Sequence, residues 1–206
     1  ANDGIISIAG IVIGVAAATS NARSILIAGL SGTLAGMISM CMGEYVSVST
    51  QKDSQKMALI SEKQRLQNQY QHEFDYVQKK YEAQDIDPQL AKQATKELME
   101  KDALGTAVQE RYGFNPNEFT SPYAAAIASF ISFPTGSILP MVAVTVSPAN
   151  VRILATAIAV LIALLITGYF AAVLGKSNRI KSMIRNAAAG LLTMGVTYLI
   201  GQLFAR

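Results

Sequence analysis

The sequence predicts an all-α, polytopic membrane protein with five transmembrane helices and a three-helix cytoplasmic domain inserted between the second and third. Three observations lead there. The 206 residues are 51% hydrophobic and only 15% charged, whereas soluble domains carry about 25% charged residues. Twelve of the 14 acids fall between Lys52 and Glu118, so two chemistries share one chain. The remaining sequence contains five apolar runs of roughly the 20 residues that a helix needs to cross the hydrocarbon.

The first run extends from Asp3 to Thr19 and the second from Ser24 to about Val48. The third, Tyr123 to Val146, is interrupted by Pro134 and Pro140. Val151 to Leu174 and Met183 to Phe204 complete the set. Lipid offers no hydrogen bonds to a backbone, so spanning segments are helices or closed barrels, and these runs are too long and continuous for alternating barrel strands. The expected organisation is residues 1–49 for spans one and two, 50–118 for the polar domain and 119–206 for spans three to five.

Loop charge sets orientation. The turn between spans four and five holds Lys176, Arg179, Lys181 and Arg185, while the other short turns hold Arg23 or Arg152 alone. The four-charge turn is therefore expected in the cytosol, the polar domain with it, and the C-terminus at Arg206 outside. Either a bacterial inner membrane or an organellar membrane fits. No leader pattern is legible, and a start at Ala1 close to an apolar run leads us to expect native residues before it.

Within the polar block no Pro or Gly interrupts Tyr45 to Tyr70, so its first helix should continue the second span. A second helix carries Tyr70, Phe74, Val77 and Tyr81 at helical spacing. The third has a clear start in Asp87 as N-cap and Pro88 in the first turn, and a stop at Gly113. Leu90, Ala94, Leu98, Leu104 and Val108 predict its apolar face, with Glu97 and Lys101 inside that face.

Several classes drop out. The one cysteine, Cys41, cannot form an intrachain disulfide or a Cys-rich zinc site. Basic residues lie at membrane flanks rather than in a stripe, which argues against a nucleic-acid partner. His72-Glu73 lacks a second histidine at metalloprotease spacing, and no phosphate loop or nucleophile elbow is present. We expect neither catalysis nor a prosthetic group.

Asp3 and Glu44 are the two acids outside the polar block. A carboxylate in or beside a membrane helix is expensive unless paired, solvated or bound to a cation. An antiparallel first pair turning near Asn21 would set Asp3 and Met40 at similar depth, each about 18 residues from the turn. Met37, Met40 and Glu44 share one helical face. A hard carboxylate beside a soft thioether suits a borderline transition metal. The plainer alternative makes the acids solvated headgroup-level residues and the methionines packing. Gly10 with Gly14, and Gly32 with Gly36, form small-residue faces for intramolecular packing or for a homodimer seam.

In the polar block Glu62 shares a face with Ala58, Leu59 and Leu66, and Glu73 flanks the aromatic stripe. Inward acids from several helices are how helical bundles build carboxylate metal sites. The alternatives are ion pairs, Glu97 with Lys101 and Glu62 with Lys63 or Arg65. His72 is expected in solvent.

The runs NDGIISIAGIVIGVAAA from Asn2, GLSGTLAGMISMCMGEYVSVSTQKDS (29–54), ELMEKDAL (97–104) and SPYAAAIASFISF (121–133) resemble the vacuolar iron transporter family, in the right order over most of the chain. The resemblance implies a homodimer in the lipid bilayer. Such a protein carries Fe²⁺ out of the cytosol, with Mn²⁺, Co²⁺ or Zn²⁺ as further candidates, in exchange for protons, for detoxification or storage. It puts Asp3 of the NDG motif and Met40 ahead of GEYVS on the translocation path, with Glu44 of GEY matching the family glutamate. It also implies a cytoplasmic metal-gathering domain in which Glu62 and Glu73 match the first members of two Glu-x-x-Glu pairs. Arg65 and Tyr76 stand where the partner glutamates are expected, with Asp75 as a substitute, and Glu97, Met99, Glu100 and Glu110 are the third-helix candidates. The competing readings are a membrane-anchored metal-binding or ferroxidase-like module, and a scaffold without a ligand.

Overall fold

The computed structural model describes residues 2–205, so the expectations attached to Ala1 and Arg206 fall outside the described residues. Among the described residues the chain forms six helices and no strand: α1 (Asn2–Ala18), α2 (Ala22–Glu82), α3 (Pro88–Tyr112), α4 (Pro122–Val146), α5 (Arg152–Leu174) and α6 (Arg179–Leu203). The all-α class is as the sequence predicts. Helices α2, α4, α5 and α6 are long and apolar enough to cross a membrane, whereas α1 is apolar but has 17 residues. The unbroken run after Tyr45 makes the second span and the first two polar helices one 61-residue element, kinked at Gln69 (φ −144°, ψ 46°).

The chain divides into two compact units, one formed by Ala1–Glu44 with Ala126–Arg206 and the other by Tyr45–Ala125. In the first unit α1 lies innermost. Its Ile5, Ala9 and Ile13 pack with Val160 and Leu164 of α5 and Met194 of α6. Its Ile8 and Val12 pack with Ile25 of α2 and with Phe133 and Val144 of α4. A helix packed on two sides has no use for a polar face, hence the uniform apolarity of its sequence. The outer helices expose large apolar side chains such as Leu34, Ile38, Ile158, Ile162, Leu192 and Leu199. That much exposed hydrocarbon is what a lipid-facing surface requires.

Both small-residue faces pack within the chain. Gly10 and Gly14 face Thr193 and Thr197 of α6, and Gly201 of α6 sits so close to the Gly14 carbonyl that a methyl group has no room. Gly32 faces Ile8 and Ile11, and Gly36 abuts the Phe133 ring. The two prolines expected to interrupt the third span do not end α4, which runs through both. Thr135 Oγ1 donates to Ile131 O at 2.7 Å, and buried Ser137 Oγ to Phe133 O at 3.2 Å and Pro134 O at 2.9 Å. These hydroxyls bond to carbonyls of the same helix, as buried or lipid-facing hydroxyls do.

In the second unit the boundaries of α3 are those its sequence announces. Asp87 Oδ1 accepts from the Gln89 and Leu90 amides, and Gly113 closes the helix in the left-handed region at φ 75°. The interior differs from expectation. Asp102 leaves helical geometry (φ −154°, ψ 87°), and its Oδ1 accepts from the Gly105 amide at 2.8 Å, restarting the helix. The buried stripe is Ala91, Thr95 and Met99 before this break and Ala107 and Val108 after it. Leu90, Leu98, Glu97 and Lys101 are exposed, which corrects the apolar face projected from the sequence. A constant 100° per residue does not survive a break, so the two halves of α3 present different phases.

Candidate metal-translocation site

The first unit contains a cavity of about 520 Å³ at the start of α1, lined by Asp3 and Ser7 of α1, Gly36, Ser39 and Met40 of α2, and Phe133 of α4. Close approach creates it. A methyl group at Gly4 would strike the Phe133 carbonyl, and one at Gly36 would strike the Phe133 ring. Gly4 lets the α1 and α4 backbones approach closely, and Gly36 leaves room for the Phe133 ring. Asp3 is exposed to the cavity and accepts a hydrogen bond from Ser7 Oγ at 2.9 Å. Among the described residues it forms no ion pair. The cavity thus offers a carboxylate, two hydroxyls and a thioether, a mixed donor set suited to a borderline divalent metal.

The structure brings Asp3 and Met40 onto one wall system, and leaves Met37 and Glu44 off it. Met37 and Met40 both pack against the Ile8, Val12 and Phe133 cluster, so Met40 serves packing and cavity lining together. Glu44 is half-buried at the end of this unit.

The six candidates in the second unit do not gather into one centre, and among the described residues no three His, Cys, Asp or Glu side chains group as metal ligands. Glu62 and Glu73 come together, both withdrawn from solvent. Their shared neighbour is Arg111 of α3, which the sequence reading did not single out. Its Nε lies 3.1 Å from Glu62 Oε2, and its other arm bonds to Glu73 Oε2. The guanidinium stands 3.9 Å over the Tyr76 ring, a cation–π stack. His72, expected in solvent, is exposed, with Nδ1 3.4 Å from Glu73 Oε1. Lys63 and Arg65, the expected partners of Glu62, are exposed.

The two carboxyls differ electrostatically. Burial pushes Glu62 above its ordinary 4.5, and the adjacent Glu73 adds to the rise against the pull of Arg111 and Arg65. Burial acts upward on Glu73 too, but hydrogen bonds with Arg111 and Glu62 and the Arg111 charge outweigh it and hold the carboxyl below 4.5. Burial works against the Arg111 charge, yet the Glu73 hydrogen bond and both carboxylates raise it further.

The remaining candidates stand apart. Glu97 is exposed and takes a hydrogen bond from Gln93 at 3.0 Å, and Glu100 is exposed 3.9 Å from Lys96. Met99 is buried in the α3 stripe. Glu110 accepts from the Tyr81 hydroxyl at 3.0 Å, and burial together with this bond pushes Tyr81 up to about 12. The expected inward-facing acid set thus resolves into one buried pair and separate surface contacts.

A family model described as "VIT family" matches residues 1–202. The chain is 32% identical over 204 residues to a vacuolar iron transporter of Acanthamoeba castellanii (strain ATCC 30010 / Neff), covering 98% of this chain and 75% of that protein. It is 33% identical over 205 residues to vacuolar iron transporter homolog 1 of Oryza sativa subsp. japonica, covering 99% and 70%. It is 30% identical over 199 residues to vacuolar iron transporter homolog 2.1 of Arabidopsis thaliana, covering 96% and 75%. The match runs through both units, the Asp3 cavity and the Glu62–Glu73 pair included, and the chain belongs to the VIT family.

Proposed function

We propose that this protein carries Fe²⁺, with Mn²⁺ and related divalent ions as further cargo, out of the cytosol in exchange for protons. The observation that carries the reading is the cavity shared by Asp3 and Met40. A carboxylate without an ion-pair partner among the described residues, on a helix among apolar spans, is expensive, and a passing cation gives it a use. Glu44, one turn beyond Met40, acts as the cytosolic approach, and Met37 extends the thioether face. Protons and metal compete for the same Asp3 oxygens, so protonation from the far side releases the ion and resets the site. No permanent basic neighbour among the described residues blocks that cycle.

In this reading α1 is a fifth span. At 1.5 Å per residue its 17 residues reach about 25 Å, near the lower limit for crossing, and its innermost position shields it from lipid at its ends. The Lys176–Arg185 turn and the polar unit face the cytosol, and the C-terminus faces away from it. Two copies associate through the exposed apolar faces, and the surface carboxylates Glu97, Glu100 and Glu110 draw cations toward the membrane. Detoxification or storage of iron is the physiological outcome.

The relatives named above as vacuolar iron transporters support this assignment. The ferroxidase-like alternative needs clustered carboxylates with histidines, and His72 is solvent-exposed beside a single carboxylate. Metal uptake by proteoliposomes with and without an imposed pH gradient tests the proposal. Uptake that rises with an acidic lumen supports it. Uptake indifferent to the gradient removes the proton step, and no uptake removes transport.

A further inference from the structure

The second unit contains a buried arrangement that transport along Asp3 does not use. Glu62 and Glu73 are 0% and 1% exposed. Two carboxylates withdrawn from water side by side require a compensating positive charge. In a metal-gathering domain that charge would be a divalent ion. Here a side chain already occupies the place: Arg111 reaches Glu62 with Nε, Glu73 with a terminal nitrogen and Tyr76 with its flat face. The guanidinium therefore meets both acids and an aromatic ring at once.

We propose that Arg111 is the resident cation of the Glu62–Glu73 pair, so that this site takes up no metal in the native protein and becomes a divalent-cation site when the guanidinium is removed. Three features support this. The guanidinium fills the space between the acids. Its bond to Glu73 uses an oxygen that a metal would need. Its fixed charge repels a divalent ion brought beside it. Tyr76 is part of the same device, since an aromatic ring accommodates a guanidinium face, where a carboxylate at that position would invite a metal. Truncation of Arg111 would leave two buried carboxylates side by side with no cation between them, oxygen donors suited to Mn²⁺. This inference does not rest on the transport reading, and metal flux through Asp3 can fail or succeed without touching it.

The test is equilibrium binding of Mn²⁺ to the full chain in detergent, read from the electron paramagnetic resonance of free Mn²⁺. Wild type and Glu62→Gln/Glu73→Gln are expected to bind the same number of ions. Arg111→Ala is expected to bind one more, with the extra ion lost when Glu62 and Glu73 are also changed to Gln, and its melting temperature should rise with Mn²⁺. Loss of a bound ion from wild type on amidation of the two acids overturns the proposal. That comparison does not need Arg111→Ala to fold, and Glu62→Gln alone, which keeps the Arg111–Glu73 bond, repeats it should the double variant not fold. A folded Arg111→Ala that gains no ion also overturns it.

Discussion

Glu62→Gln and Glu73→Gln are the same chemical change at two buried side chains that share one arginine, and they should move stability in opposite directions at pH 7.5. Glu73 has its carboxyl held below 4.5 in the fold. Its stabilising contribution is therefore present above 4.5 and is lost as pH falls through the folded value. Glu62 is raised above 4.5, so its contribution is present below 4.5 and is lost as pH rises through the folded value. At pH 7.5 the protein keeps the first contribution, while the second weakens as pH rises above 4.5. Glu73→Gln removes one partner of a buried, hydrogen-bonded ion pair, a change that costs about 3–5 kcal/mol. Glu62 remains 3.1 Å from Arg111 Nε, which places the loss near the lower end, about 3 kcal/mol. Glu62→Gln keeps the Arg111–Glu73 bond and replaces a buried carboxyl whose charged form burial disfavours and whose oxygens accept no hydrogen bond among the described residues, so stability at pH 7.5 should rise. The assay is amide hydrogen exchange of the full chain, followed in peptides covering Glu62, Val77 and Val108. Protection should fall by roughly a hundredfold or more in Glu73→Gln, since 1.4 kcal/mol is a factor of ten. It should increase in Glu62→Gln, with that advantage vanishing below pH 4.5. Equal losses in the two variants would refute the assignment of charge within the triad.

Asp87→Ala removes the side chain that caps α3 at Gln89 and Leu90 and should cost about 1 kcal/mol, visible as faster exchange confined to the first turns of α3. Gly201→Ala forces a methyl group against the Gly14 carbonyl, so α1 and α6 must part. Overpacking of this kind costs about 1–3 kcal/mol, and the melting temperature in detergent should fall. Gly195→Ala in the same helix meets nothing within 4 Å and should be neutral or slightly stabilising through helix propensity, by up to about 1 kcal/mol.

The local signals were legible in the sequence. Asp87, Pro88 and Gly113 announce the ends of α3, and the unbroken stretch after Tyr45 announces its continuity with α2, because caps and breakers act within one turn of chain. Asp3 and Met40 could be paired by counting from the turn near Asn21. Three things were not legible. The α3 break at Asp102 was missed, although Asp102 three residues ahead of Gly105 is itself a capping signal, and the error propagated into the assignment of Glu97 and Leu98 to the buried face. Arg111 was missed because its partners are 38 and 49 residues away, and charge pairing at such separations is decided by tertiary packing. The continuity of α4 through Pro134 and Pro140 was not legible either, because proline reads as a breaker in sequence whereas a helix among apolar spans tolerates it.

The most direct test of the transport account is Fe²⁺ flux into proteoliposomes carrying Asp3→Asn, with folding checked by thermal melting. Asn keeps the size of the side chain and an oxygen for Ser7 to bond, and removes only the charge. The account predicts a folded protein whose flux falls to the level of empty liposomes. Flux equal to wild type would contradict it, because the cavity between α1, α2 and α4 would then conduct metal without the carboxylate that gives the cavity its chemistry.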